Sequence, residues 1–235
     1  MRWLHLRLRA PLASFGGEAI DARGVIRDFP AQSMLTGLFG NALGWTRSMR
    51  KEHQALQHRI VFGAAHEEDP GLRRMTDYQT AQIGKRDRAW TIRGVPAGRK
   101  GGPQTYQGSH QRWRDYHSDL RLTLVLRLDP GDDAPTLDDL GASLKRPARP
   151  LFIGRKPCLP AAQIFEAWID EPDICAALRA ALPEGRDYYA LWPYSEGAAG
   201  ADVTRFVTDE RNWLSGLHGG ARRICTGRLI GRDDG

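Results

Sequence analysis

The feature that most constrains the fold is a strictly alternating segment at residues 119–129. Leucine occupies every second position there: Leu120, Leu122, Leu124, Leu126 and Leu128. Because successive side chains of a strand point to opposite faces of a sheet, the leucines predict a strand with one apolar face. Residues 2–9 alternate in the same way, with Leu4, Leu6 and Leu8 on one side. A half-buried strand is therefore expected close to the N-terminus as well.

Shorter patterns predict further strands and helices. Ser33 suits the N-cap of a helix that continues through the glycine-containing run MLTGLFGNALGW, and Thr136 suits the N-cap of a second helix over 136–144. A strand is expected over 58–65 between these helices. Three more elements are expected later, as strand 163–169, helix 173–182 and strand 187–192. We predict an α+β fold of the ferredoxin-like or RRM type with an insertion between strands.

The division of the chain follows from the same pattern. Residues 1–147 are expected to form the RRM-like domain, and residues 148–235 a smaller C-terminal, β-rich part packed on it. The segments VTRFV and RRICTGRLI are expected to be strands of this second part. The sequence contains no run of about 18 apolar residues, and its N-terminus alternates, so neither a transmembrane helix nor a signal peptide is expected.

The three cysteines, Cys158, Cys175 and Cys225, form no CxxC pair. Their odd number and irregular spacing predict free thiols in a reducing, cytoplasmic setting rather than a disulfide framework or a zinc site. We expect no metal and no cofactor.

Positive charge is concentrated in one part of the chain. Residues 73–121 contain eleven basic and four acidic side chains, a net charge of +7, whereas the rest contains 23 basic and 24 acidic ones. Arginine outnumbers lysine by 29 to 5, and its planar guanidinium pairs with phosphates and stacks on bases. This distribution favours a nucleic-acid partner. Within the segment, residues 93–104 are rich in glycine and proline, which is typical of a hairpin tip.

No known catalytic motif stands out, since the sequence lacks GK[ST], GxSxG and HExxH. The run SHQRWRDYH (109–117) permits two interpretations. His110, Tyr116 and His117 are residue types that a metal-independent ribonuclease uses for general acid–base cleavage. The same run also suits a binding strand, with Arg112 and Arg114 on one face for phosphates. Trp113 on the other face is either a stacking residue or part of the core.

Four ordered blocks resemble one family. They are FPAQSMLTGLFGNALG (29–44), MTDYQTAQIGKRD (75–87), QRWRDYHSDLRLTLVL (111–126) and LKRPARPLFIGRKPC (144–158). The blocks resemble the CasD-type subunits of the RAMP superfamily, which belong to type I-E CRISPR Cascade complexes. The resemblance implies an RRM-like fold with a basic β-hairpin thumb, here at about 75–115. It also implies a non-catalytic subunit that caps the 5′ handle of the CRISPR RNA. The implied protein partners are the backbone subunits and the large subunit, and proximity to target DNA is left open.

Site residues follow from the resemblance block by block. Arg114 matches the arginine at the base of the thumb, and Gln32 and Ser33 match positions near the RNA. Phe152 stands where an aromatic ring is expected to stack, next to Arg155 and Lys156. The complete expected RNA-binding set is Arg27, Gln32, Ser33, Tyr78, Lys85, Arg86, Arg112, Trp113, Arg114, Lys145, Arg146, Phe152, Arg155 and Lys156.

Two alternatives remain open at this point. A sister branch of the family cuts the CRISPR RNA precursor, and it is described by a tyrosine, a lysine and a histidine. In this sequence the first predicted helix has no tyrosine, and no Lys-His dipeptide occurs. This difference favours a binder over a metal-independent endoribonuclease. A general RNA-binding module outside CRISPR biology is the second alternative, although the expected strands carry no paired aromatic platform of the usual RRM kind.

Overall fold

A computed structural model describes residues 1–17, 22–82 and 109–232. Its elements are β1 (Arg2–Ala13), β2 (Arg23–Gly24), α1 (Gln32–Ala42), α2 (Arg50–Arg59), β3 (Ile60–His66), β4 (Arg74–Ala81), β5 (His110–Leu128), α3 (Leu137–Lys145), β6 (Phe165–Asp170), α4 (Ile174–Ala181), β7 (Asp187–Pro193), β8 (Val203–Val207) and β9 (Arg222–Ile230). A single 3-10 turn at Tyr194–Glu196 follows β7. The fold combines α-helices with a β-sheet, which agrees with the predicted fold at the level of its secondary-structure class.

The described strands form one sheet built around β5. Their order is β6-β1-β5-β3-β7-β9-β8, and β2 and β4 also pair with β5. Every pairing is antiparallel except that of the two-residue β2 with β5. The alternating leucines lie in the second half of β5, where β1 and β3 flank the strand on either side. The strand predicted there is confirmed, and it extends back to His110.

Apolar side chains cover both faces of the sheet. On one face the alternating leucines of β1 and β5 pack with Leu35 and Phe39 of α1 and Leu140 of α3. On the other face Trp3 and Val125 pack with Ile174 and Leu178 of α4. The prediction that β1 is only half-buried is therefore wrong at its start. Trp3 is buried, and its indole N–H donates to the carbonyl of Glu171 at 3.1 Å.

The helices agree in part with those predicted from the sequence. At α3 the hydroxyl of Thr136 accepts from the backbone N–H of Asp139, and the Asp139 carboxylate accepts in return from the backbone of Thr136. Helix α4 begins after Asp173, close to its predicted start. Helix α2 was not predicted, and it continues to Arg59, so the strand expected from residue 58 begins only at Ile60.

The predicted N-cap of α1 is wrong. The helix begins at Gln32, and Ser33 lies in its first turn. The cap comes instead from the C-terminal part of the chain. The backbone N–H of Gln32 donates to the carboxylate of Asp209 at 3.3 Å, and that of Ser33 to the Asp209 carbonyl at 3.0 Å. Because these two amides already have partners, they are not free to bind a phosphate.

Strands from both sides of the expected boundary at residue 147 belong to the same sheet. Strand β6 pairs with β1, and β7 pairs with β3. The two expected C-terminal strands are present as β8 and β9. The division into two parts stays a prediction, as does the hairpin tip at 93–104, which lies outside the described residues. In the part of the chain that the structure describes, no helix has the length and apolar character needed to cross a membrane.

Candidate nucleic-acid interface

A two-stranded arm extends from the sheet. It consists of β4 and residues 110–117 of β5, which pair antiparallel from Arg74 opposite His117 to Ala81 opposite His110. The short β2 runs beside the arm, with Gly24 next to Arg114. Because directly opposed residues share a face of a strand pair, the two faces of the arm carry different side chains.

One face of the arm carries an aromatic pair. Tyr78 and Trp113 are direct cross-strand neighbours, and their ring centroids are 5.2 Å apart. The guanidinium of Arg23 lies 5.8 Å from the Trp113 ring. Tyr78 is 52% exposed, and Trp113 is only half-buried. Of the two interpretations of Trp113, the structure therefore favours an accessible aromatic residue over a core one.

The other face carries Arg112 and Arg114. Arg112 is exposed and donates to the carbonyl of Gln111 at 2.8 Å. A methyl group placed on Gly24 would lie 2.7 Å from Nη1 of Arg114 and 2.9 Å from Nη2 of Arg155. The guanidinium groups of Arg114 and Arg155 therefore converge over Gly24. Among the described residues no carboxylate forms an ion pair with either group, although Asp77 is opposite Arg114 in register.

Much of the other positive charge in this segment is compensated. Arg73 pairs with Glu68 at 2.7 Å, and Arg74 pairs with Asp28. Arg121 is 3.3 Å from Asp119. The net charge of +7 counted from the sequence therefore overstates what these residues offer to a polyanion. Within the described part of the segment, the uncompensated charge lies on the arm.

The loop at 152–156 places the later basic motif against the arm. Arg155 donates to the carbonyls of Asp115 and Gly24, at 3.0 Å each, and its guanidinium lies 4.7 Å from the Tyr116 ring. Gly154 has φ +89° and packs on the backbone of Ser14 so closely that a Cβ would overlap the Ser14 carbonyl oxygen. Glycine is required there for the loop to reach the sheet. Lys156 is exposed beside Arg155.

A groove of about 340 Å³ opens between this loop and α1. Three of the predicted residues, Ser33, Phe152 and Arg155, line it. Its opposite wall is formed by residues that sequence reasoning missed, Arg211, Trp213 and His218. They lie in the C-terminal third, where the sequence resemblance is loose, and no local pattern links them to α1.

The structure places other predicted residues elsewhere. The buried side chain of Gln32 donates to the carbonyl of Gln57 at 2.5 Å, so we leave it out of the interface. Arg27 donates to the carbonyl of Thr208 at 2.7 Å. Lys145 lies 3.9 Å from the ring of Phe165 at the far end of α3, and Arg146 follows it, exposed. Lys85 and Arg86 lie outside the described residues.

The histidines of the arm are poorly arranged for general acid–base cleavage. His110 and His117 are seven residues apart on one strand, which corresponds to about 23 Å. His117 is buried, and its Nε2 lies 2.8 Å from the carbonyl oxygen of Arg27. Burial lowers the pKa of His117 below its usual value. Residues 1–17, 22–82 and 109–232 contain no cluster of three side chains suited to a metal ion.

The antiparallel sheet with its packed helices is a fold that known proteins share. The chain belongs to the family described as CRISPR-associated protein (Cas_Cas5), whose sequence model matches residues 3–225. The family membership expected from the four sequence blocks is thereby confirmed.

Individual relatives agree with this assignment. The chain is 27% identical over 193 residues to the CRISPR system Cascade subunit CasD of Escherichia coli (strain K12), covering 80% of each protein. It shares its fold with a chain of a CRISPR RNA-guided surveillance complex, at a TM-score of 0.70 and 17% identity, covering 97% of this chain and 90% of that one. A structure titled as a Cas protein matches with a TM-score of 0.61 and 20% identity, over 97% and 95% of the two chains.

Proposed function

We propose that this protein is a non-catalytic RNA-binding subunit of a Cascade-type CRISPR RNA-guided surveillance complex, and that its arm and the 152–156 loop hold the 5′ handle of the CRISPR RNA. The observation that carries the proposal is the convergence of Arg114 and Arg155 over Gly24. Two neighbouring guanidinium groups repel each other, and an RNA phosphate between them would relieve this repulsion through charge-assisted hydrogen bonds.

The surroundings of these two arginines support a single-stranded RNA. Arg112 and Lys156, close to them along the chain, add positive charge, and both are exposed. Tyr78 and Trp113 offer aromatic surface on the second face of the arm. Positive side chains that follow the backbone, combined with aromatic rings on which bases stack, are the usual means of binding an unpaired strand.

We further propose that the arm belongs to the basic thumb that the sequence resemblance implies at about residues 75–115. The order β6-β1-β5-β3 is the order that a ferredoxin-like βαββαβ unit would give to its four strands. The insertion of the arm between β3 and β5 then corresponds to the thumb insertion expected from the sequence.

The proposed protein partners are the backbone subunits and the large subunit of the complex. A Cascade subunit among the relatives, and the fold shared with a surveillance-complex chain, support this assembly. A complex of this kind would place the protein in the cytoplasm.

The test compares two arginines of the same strand. Arg114→Gln is expected to weaken binding of labelled CRISPR repeat RNA about tenfold, and to lower the slope of log affinity against log salt by about one. The matched control is Arg121→Gln, because Arg121 already pairs with Asp119 and Glu68. It should bind RNA like the parent protein.

Competition with scrambled RNA of equal length completes the test. A preference for the handle supports a CRISPR-specific subunit, whereas equal binding of both RNAs would indicate a general RNA-binding module. Unchanged affinity in Arg114→Gln would refute the proposed interface.

A further inference from the structure

We propose that the groove beside α1 receives one unstacked base of the bound RNA. This inference rests on the proposed function and adds a specific subsite to it. The groove lies between α1, the 152–156 loop and a segment that we call the strap, residues 209–218. Its volume of about 340 Å³ lies at the lower end of the range of pockets that hold small molecules.

The strap is fixed to the helices by side chains that bond to its backbone. Gln57 of α2 donates to the carbonyl of Arg211 at 3.0 Å and accepts from its N–H at 3.2 Å. Gln54 accepts from the N–H of Trp213 at 2.8 Å. With the Asp209 cap on α1, these bonds fix the strap from Asp209 to Trp213. The wall that it gives the groove is therefore built into the fold.

Aromatic and apolar groups suit the walls to a planar ring. Trp213 is held in place by the stacked ring of His53, with centroids 4.6 Å apart and an interplanar angle of 26°. Phe152 lines the groove from the 152–156 loop. Gly37 of α1 contributes no side chain, and a Cβ there would have Trp213 as its nearest neighbour, at 3.8 Å. The helix thus leaves room at the position where a larger residue would fill the groove.

Two buried polar atoms, each on a residue that lines the groove, lack a hydrogen-bond partner among the described residues. They are Oγ of Ser14, a residue that is only 1% exposed, and Nε of Arg211. Buried polar groups are normally paired, so an unpaired hydroxyl on a residue that lines a groove points to a ligand with polar edges. A nucleobase combines a flat apolar face with donors and acceptors along its edge. A purely apolar side chain of a protein partner would leave the Ser14 hydroxyl unpaired.

The experiment uses the full chain, labelled CRISPR repeat RNA, and copies of that RNA with one abasic nucleotide each. For the parent protein, one abasic position is expected to lower affinity about tenfold, the size of one base–aromatic stack. Gly37→Leu, which fills the groove, should bind intact RNA about tenfold more weakly and no longer respond at that position. Gly131→Leu is the matched control, because Gly131 is exposed in the turn after β5 and does not line the groove, and it should behave as the parent does.

The outcomes separate this inference from the proposed function. If Arg114→Gln weakens binding but no abasic position matters, or if Gly37→Leu keeps the same response, the base subsite is refuted while the interface stands. If the parent protein binds no RNA, both fail.

Ser14→Ala provides a second test that does not depend on whether Gly37→Leu folds. It should weaken binding of intact RNA severalfold and leave binding of the RNA abasic at that position unchanged. An equal loss for both RNAs would overturn the proposal.

Discussion

Tyr78 and Trp113 face each other across the arm, in direct register and with ring centroids 5.2 Å apart. The next residues along each strand, Asp77 and Arg114, point to the opposite face of the arm. The arm therefore separates its aromatic surface from its cationic surface. An RNA strand that follows the arginines would bring its bases to the aromatic pair only by wrapping around the edge of the arm.

This arrangement predicts that the aromatic pair contributes to binding independently of the arginines. Trp113→Ala should weaken binding of repeat RNA by about tenfold, because a base–aromatic stack is worth about 1–3 kcal/mol. Trp113→Phe keeps a ring and should retain most of the affinity. Titrations monitored by fluorescence anisotropy would measure both variants.

A double variant tests whether Trp113 and Arg114 contribute independently to the binding free energy. If Trp113→Ala and Arg114→Gln act on different contacts, their free-energy effects should add to within about 0.5 kcal/mol. Wild-type affinity in Trp113→Ala would show that the ring only packs on Tyr78.

Asp209 is expected to be important for stability. Its carboxylate caps α1 and accepts hydrogen bonds from Nε and Nη2 of Arg222 at distances of 2.8–3.1 Å. The side chain of Asp209 is only 5% exposed. Asp209→Ala would leave the Arg222 charge buried without its partner, which should cost about 3–5 kcal/mol of the free energy of unfolding. Urea denaturation would measure this loss.

The control for this variant is Asp138→Ala. Asp138 pairs with Arg2 at 2.8 Å, but its side chain is 66% exposed, so the loss should stay below about 1 kcal/mol. Equal losses in the two variants would contradict the capping role that we assign to Asp209.

Asp209 also shows what could be predicted from the sequence and what could not. Two local signals were reliable, since the alternating leucines of β5 and the Thr136 cap of α3 are both present. The cap of α1 was missed because it comes from a residue 177 positions away from Gln32. No local pattern encodes such a contact, and a serine in the right place suggested a simpler one.

In the candidate site, too, residues within a recognisable sequence pattern could be predicted, whereas residues brought in by distant contacts could not. Arg114 and Arg155 could be found because each lies in a block with a family pattern, although their convergence over Gly24 needed the fold. Trp213 lies in a segment without periodicity, and only its bonds to Gln54 and Gln57 bring it to the groove. Helix α2 was missed because it is strongly polar and buries few apolar side chains.

Stability should fall as the solution becomes mildly acidic. Burial lowers the pKa of His5 and of His66 to about 4, against 6.5 for an exposed histidine. As the pH is lowered from 6.5 to 4, the unfolded chain therefore takes up protons that the folded chain does not. The free energy of unfolding decreases as the pH decreases over this range. Each histidine contributes up to about 3 kcal/mol over this window. Above pH 6.5 the effect disappears, since both states are neutral.

Thermal denaturation at several pH values, compared with His66→Gln, would test this expectation. Nε2 of His66 lies 2.6 Å from the carbonyl oxygen of Asp28, and a glutamine amide can donate to the same oxygen. The variant should therefore fold at pH 7 and lose stability less steeply below pH 6.5. A pH dependence as steep as that of the parent protein would show that His66 is not one of the responsible groups.

The last prediction concerns cleavage. The 23 Å or so between His110 and His117 is too far for both to act on one phosphate, and His117 is buried against Arg27. Labelled repeat RNA incubated with the protein in EDTA should therefore run as a shifted band on a native gel and as intact RNA on a denaturing gel. His110→Ala should leave both patterns unchanged. Cut RNA that becomes intact in a His110→Ala, His117→Ala double variant would identify a processing ribonuclease, and would require the arm to rearrange so that both imidazoles reach the same phosphate.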